Sequence, residues 1–183
     1  MVYRWVVMLP LMHIFKKVGL CVGLVLLNTS ARGDTKEQTI TRMRLIENSQ
    51  IGRFTGVTKR LAPKFLSPEN VVRSDLINVI TGMGGNIGLE GYVNQQRAVM
   101  SRVDRVADLG LINVPTLIMV GEDDKITPPE LSIEMHREIP LSTLRIFPGC
   151  GHLVPLERPI EANRDLTLFL ENFDIDIMNQ LTL

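Results

Sequence analysis

Two short stretches of the chain carry side chains that can move protons. One is GEDDKITPP, where Asp123 and Asp124 follow an apolar run; the other is PGCGHLVP, where His152 follows the strand-like run STLRIF. A carboxylate can orient an imidazole, and that imidazole can take a proton from a nucleophile. Together they make two thirds of a Ser-His-Asp triad. The plainer reading is that Asp123 and Asp124 cap the turn before Thr127 and that His152 is an ordinary loop residue. Position favours chemistry, because both stretches lie where a strand is expected to end. In α/β sheets, sites gather beyond the carboxyl ends of the strands.

Other reactive side chains fit quieter roles. His136, in EMHRE, falls on a charged helix surface, and His13 lies in an unusually apolar N-terminus. Cys150 neighbours His152 and reads as loop packing, and Glu157-Arg158 as local polar contacts at a helix start. GMGGNIG, Gly82 to Gly88, is expected to be a flexible break. No strand precedes it and no GK[ST] follows, so it is not a phosphate loop. Two cysteines, Cys21 and Cys150, offer neither a disulfide framework nor a CxxC metal pair. No metal or cofactor is implied. Lys+Arg and Asp+Glu both number 20, which argues against nucleic acid and anionic membrane as partners. A reducing, cytoplasmic setting is expected.

The elements that must position these residues are legible from periodicity. A chain of 183 residues with 45% hydrophobic content suits one domain with a real core. GLVLLN (Gly23 to Asn28) and VPTLIMVGEDD (Val114 to Asp124) are apolar runs that read as buried strands, and STLRIFPG (Ser142 to Gly149) reads as another strand. Between the first two, apolar residues recur at helical spacing, including Ile40, Met43, Leu45 and Ile46. Asp34 with Glu37 suggests a capping box, Ser67-Pro68-Glu69 a second helix start, and Leu89 to Arg102 a third helix. Thr127-Pro128-Pro129-Glu130 predicts a helix to about Glu138, and Pro159 opens the last one. The order is strand, helical insertion, strand, helix, strand, helix. That is an α/β class with a mainly parallel sheet.

VPTLIMVGEDDKITPPE followed by IFPGCGHLVPLERP resembles the C-terminal part of the α/β-hydrolase fold family. GLVLLNTSARGDT is similar to the strand after the family's nucleophile helix, and QQRAVMSRVD to the end of its helical cap. The acid-then-histidine order is also the family's. The resemblance covers residues 23 to 172 and implies an incomplete α/β-hydrolase fold: the C-terminal strands and helices, with a helical cap insertion. Residues 23–34 would be a core strand and loop, 35–108 the cap, and 109–183 the C-terminal part of the core. The resemblance further implies Asp124 as triad acid, His152 as base, and a small apolar acyl substrate or ligand under the cap.

The family places its serine in G-x-S-x-G on a strand-to-helix turn. No G-x-S-x-G occurs in the 183 residues. GLCVG, Gly19 to Gly23, matches G-x-C-x-G, but a strand-like run follows where a helix is needed, so Cys21 is not expected to be catalytic. The apolar N-terminus is not expected to be a membrane span, because Pro10, His13, Lys16 and Lys17 interrupt it, nor a clean secretory signal, because NTSA, Asn28 to Ala31, only partly imitates a small-residue cleavage site. The genetic code offers another reading. If each codon's last base is joined to the first two of the next, Met1–Val2 and Trp5–Val6 must both give glycine. Tyr3–Arg4 gives serine or proline when the arginine codon begins CG. The shifted frame is thus compatible with GLSMGGYVA, a family-like elbow about twenty residues before the first strand. As translated, the chain is expected to lack both the serine and the oxyanion hole, and to be inactive alone; the alternative is a noncatalytic hydrolase-like protein that binds small ligands.

Overall fold

The computed structural model describes residues 23–181 other than 53 and 57, with side chains to residue 171. The segment 1–22, and with it the shifted-frame reading and Cys21, lies outside the described residues.

Three parallel strands form one sheet in the order β1 (Leu24–Leu27), β2 (Thr116–Gly121), β3 (Ser142–Phe147). The register pairs Leu24 with Thr116 and Leu27 with Met119, then Thr116 with Ser142 and Gly121 with Phe147. β1 and β2 are buried throughout, and the alternation of side chains explains their unbroken apolar sequence. Leu24, Leu26 and Ile118 point to one face, where Leu109, Ile112, Met135 and Ile139 cover them. Val25, Leu27, Leu117 and Met119 point to the other, against Phe147, Val154 and Ala162. Helix α4 (Pro129–Glu138) therefore covers one face and α6 (Pro159–Leu181) the other. Each fully buried aliphatic side chain contributes roughly 1.5–3 kcal/mol. This sandwich of a parallel sheet between helices is the frame that fixes the strand ends.

Between β1 and β2 the described chain is helical: α1 (Lys36–Ser49), a short α2 (Ala62–Phe65) and α3 (Ser74–Met100). Several local expectations shift. The capping box at α1 is Thr35 with Gln38, one residue beyond Asp34 and Glu37. Asp34 instead receives Arg42 at 2.6 Å. The helix expected from Ser67 begins only at Ser74, because Ser67 and Asn70 are drawn into a turn bonded to Glu157. GMGGNIG is helical apart from one kink, at Gly88 (φ 68°, ψ 175°). The expected break thus shrinks to one residue, at a backbone conformation open to glycine. β2 is shorter than Val114 to Asp124 at both ends.

Candidate active site

The carboxyl ends of β2 and β3 lie side by side, and the loops beyond them are locked by backbone bonds. Glu122 N–H donates to Phe147 O (3.0 Å) and Asp123 N–H to Cys150 O (2.8 Å). The close approach depends on glycine at two positions. A Cβ on Gly121 would collide with the carbonyl oxygens of Cys150 and Gly151, and one on Gly151 would sit 2.6 Å from Phe65 O. Backbone at such distances cannot move aside as a flexible side chain can.

This geometry brings Asp124 and His152 together. His152 Nδ1 lies 2.9 Å from Asp124 Oδ2 and 3.1 Å from Oδ1. The carboxylate is 3% exposed and collects further donors. Ile126 N–H (2.8 Å) and Thr127 N–H (2.9 Å) donate to Oδ1; Thr127 Oγ1 (2.8 Å) and Asn28 Nδ2 (2.9 Å) donate to Oδ2. Burial alone would push this carboxyl up, but the hydrogen bond and charge of His152, with Asn28 and Thr127, outweigh it and hold it at about 2. An ionised carboxylate only accepts, so the proton of a neutral imidazole sits on Nδ1 and Nε2 is left basic.

The capping role expected around Thr127 resolves differently. Helix α4 starts at Pro129 with Pro128 as its cap residue, and the Thr127 hydroxyl serves Asp124 instead. Asp123 is half-buried and contacts the histidine loop through its backbone. Cys150 is fully buried; burial and then the negative charge of Glu157 push its thiol up to about 12, so it stays protonated and unreactive. His136 is exposed, with Nδ1 2.8 Å from Ser142 Oγ, away from the strand-end loops. Among the described residues no cluster of His, Cys, Asp or Glu could hold a metal ion, and no helix is long and apolar enough to cross a membrane.

Sequence reasoning missed two residues. Asn28, at the end of β1, adopts φ 42°, the left-handed region that Asn tolerates better than most residues. From there its amide reaches Asp124 and Gly151 O (3.3 Å), while its Oδ1 is buried with no partner among the described residues. Glu157 is not a local contact at a helix start. It is 3% exposed and accepts from Ser67 N–H (2.8 Å), Asn70 Nδ2 (3.0 Å) and Gly151 N–H (2.9 Å). A signal for it existed. In the short helix α5 (Val154–Glu157), Glu157 stands three residues from the fully buried Val154 and so shares its inward face.

Comparison with known proteins agrees with this architecture. The family described as alpha/beta hydrolase fold matches residues 47–159. A proline iminopeptidase of Thermoplasma volcanium is 43% identical over 63 residues, 34% of this chain and 21% of its own. A 2-hydroxy-6-oxo-6-phenylhexa-2,4-dienoate hydrolase of Burkholderia cepacia is 27% identical over 120 residues, covering 62% of this chain and 41% of its own. Among solved structures, a thermophilic esterase from Thermogutta terrifontis superposes with a TM-score of 0.81 at 28% identity, over 87% of this chain and 59% of the esterase. The chain thus spans less than two thirds of these relatives' own length.

Proposed function

This chain belongs to the alpha/beta hydrolase fold family, and from that premise we propose that Asp124 and His152 are the acid and base of an acyl-transfer triad. The observation that carries the reading is the contact of His152 Nδ1 with the buried Asp124 carboxylate at 2.9 Å. In the proposed mechanism a serine hydroxyl gives its proton to His152 Nε2 as it attacks a carbonyl carbon. Asp124 holds the ring in the required tautomer and stabilises the imidazolium that forms. The imidazolium then protonates the leaving group, and a water deprotonated by the same nitrogen releases the acyl group.

The proposed serine is not among the 183 residues as a G-x-S-x-G, so hydrolysis by this chain alone is not expected. Triad members act as a unit, and loss of the nucleophile removes nearly all catalysis. The substrate class we propose is a small apolar acyl compound bound between the strand ends and the helical insertion. The relatives named as an esterase and as a 2-hydroxy-6-oxo-6-phenylhexa-2,4-dienoate hydrolase support hydrolysis of a small carbonyl compound. A second reading, ligand binding without turnover, is favoured by the missing motif together with apolar residues exposed on α1 and α3, among them Ile40, Met43 and Met83.

Purified chain mixed with p-nitrophenyl acyl esters and, separately, with a fluorophosphonate probe tests both readings. No burst, no turnover and no labelled serine are expected. Saturable ester binding without turnover would favour the second reading. Steady turnover that survives His152→Ala would remove the proposed role of the dyad.

A further inference from the structure

The buried carboxylate of Glu157 lies between two parts of the chain that the catalytic reading keeps separate. One oxygen, Oε2, accepts from the helical insertion: Ser67 N–H at 2.8 Å and Asn70 Nδ2 at 3.0 Å. The other, Oε1, accepts from the histidine loop: Gly151 N–H at 2.9 Å and Leu153 N–H at 3.4 Å. Ser67, Asn70 and Glu157 are all buried, and Asn70 Nδ2 also reaches Ser67 Oγ at 3.1 Å. These four hydrogen bonds come from neutral donors, so the carboxylate is held by directed bonds whose loss would leave a buried charge poorly solvated.

The same two segments meet around His152 itself. His152 N–H donates to Phe65 O at 2.7 Å, so the backbone of the proposed base hangs directly from the insertion. Gly151 is packed against the backbone of Phe65, Leu66 and Ser67 too closely for any Cβ. Below this seam an apolar cluster joins Leu66, Leu76 and Ile80 of the insertion to Leu153 and Leu156 beside the histidine. At the rim, Lys125 Nζ reaches Pro63 O (3.2 Å) and Arg158 approaches Glu69 (3.3 Å). The insertion and the histidine loop are therefore bonded together through Glu157, whose hydrogen bonds go to Ser67, Asn70, Gly151 and Leu153 rather than to Asp124 or the imidazole.

We infer that Glu157 is a positioning residue: it couples the insertion segment Phe65–Asn70 to the histidine loop, so that the Asp124–His152 bond is kept only while that segment is docked. Displacement of the segment frees Ser67 and Asn70 from Oε2 and Phe65 O from His152 N–H, and the loop then loses its support. The coupling gives the insertion control over the base as well as over access. The inference rests on the reading of His152 as the proton acceptor.

The test uses the full chain, isotope-labelled, with the His152 Nδ1–H proton resonance as readout. Hydrogen exchange at the Ser67, Gly151 and His152 amides is followed alongside. In Glu157→Gln the new amide must direct a donor at one of the two donor pairs. Exchange of the Nδ1–H is expected to accelerate by about tenfold or more, with the far-UV spectrum retained. Asn70→Ala, which alters only the insertion side, is expected to accelerate it in the same direction by a smaller factor. It decides the matter should Glu157→Gln fail to fold. Asp124→Asn separates the two claims and is expected to abolish the protected signal. If it does so while Glu157→Gln and Asn70→Ala leave Nδ1–H exchange within about twofold of the parent, the dyad stands and the coupling is overturned. If Asp124→Asn leaves the signal intact, the dyad reading falls and takes the coupling with it.

Discussion

The loops beyond β2 and β3 and the helix α1 are stabilised in opposite ways. At the strand ends, charged groups are buried and held by directed bonds: Asp124 and Glu157 are each 3% exposed, and each collects several donors. On α1 no residue is buried, and Ile40 and Met43 stand half exposed. That helix is held by its Thr35–Gln38 capping box and by Arg42, which bonds Asp34 and Gln96. Caps and surface pairs contribute about 1 kcal/mol each or less, whereas a buried carboxylate with its donors is worth several when broken. The geometry of the strand ends is therefore strongly determined by this chain's own residues. Part of the apolar surface of α1 stays open: Ile40, Met43 and Leu45 are each about half exposed, although the helix packs on α3.

The contrast is sharpest for Asp124→Ala. It strands the Ile126 and Thr127 amides, the Thr127 hydroxyl and the Asn28 amide, and is expected to cost about 3–5 kcal/mol in urea unfolding. Met43→Ala on α1 should move the midpoint by no more than about 0.5 kcal/mol. Equal costs would break the comparison. Ile118→Ala, in the covered centre of β2, is expected to cost about 3 kcal/mol by cavity formation, against a near-neutral Ile40→Ala.

Acid separates the regions next. The Asp124 carboxyl sits at about 2 in the fold against an ordinary 3.8, so its contribution is complete above pH 3.8 and is lost as pH falls through 2. The gap corresponds to about 2 kcal/mol, and the acid limb of an unfolding series between pH 5 and pH 2 is expected to flatten in Asp124→Asn. An unchanged limb would mean that other carboxyls govern acid stability. A further effect at the strand ends is expected at Asn28. Asn28→Gly keeps the left-handed backbone and loses the buried amide with its hydrogen bonds to Asp124 and Gly151, at a cost of about 1 kcal/mol or more. Asn28→Ala adds the strain of that backbone and is expected to cost about 1 kcal/mol more.

What the sequence disclosed follows from how local the cause was. β1 and β2 were legible because each is a short apolar run closed by polar residues, β3 because β-branched and apolar residues end at Pro148-Gly149, and the meeting of Asp124 with His152 because each lies in the loop after a strand. Asn28 and Glu157 were not, because their partners lie far along the chain: Asp124 for one, Ser67 and Asn70 for the other. The Ser67 helix start failed for the same reason: the distant Glu157 carboxylate holds Ser67 N–H and Asn70 Nδ2, and the segment closes as a turn. The run from Gly82 to Gly88 misled through composition. Helical bonding and packing of Ile80, Gly84 and Val93 outweighed the propensity of its glycines everywhere but at Gly88.

The nucleotide sequence across codons 1–22 and upstream of them tests most directly whether Asp124 and His152 serve a serine encoded outside the translated frame. The expected result is a Gly-x-Ser-x-Gly in the shifted frame, starting at the junction of codons 1 and 2, with further strand-coding sequence before it. A shifted frame without that serine codon, and no such motif upstream, would contradict the triad and leave ligand binding as the function to pursue.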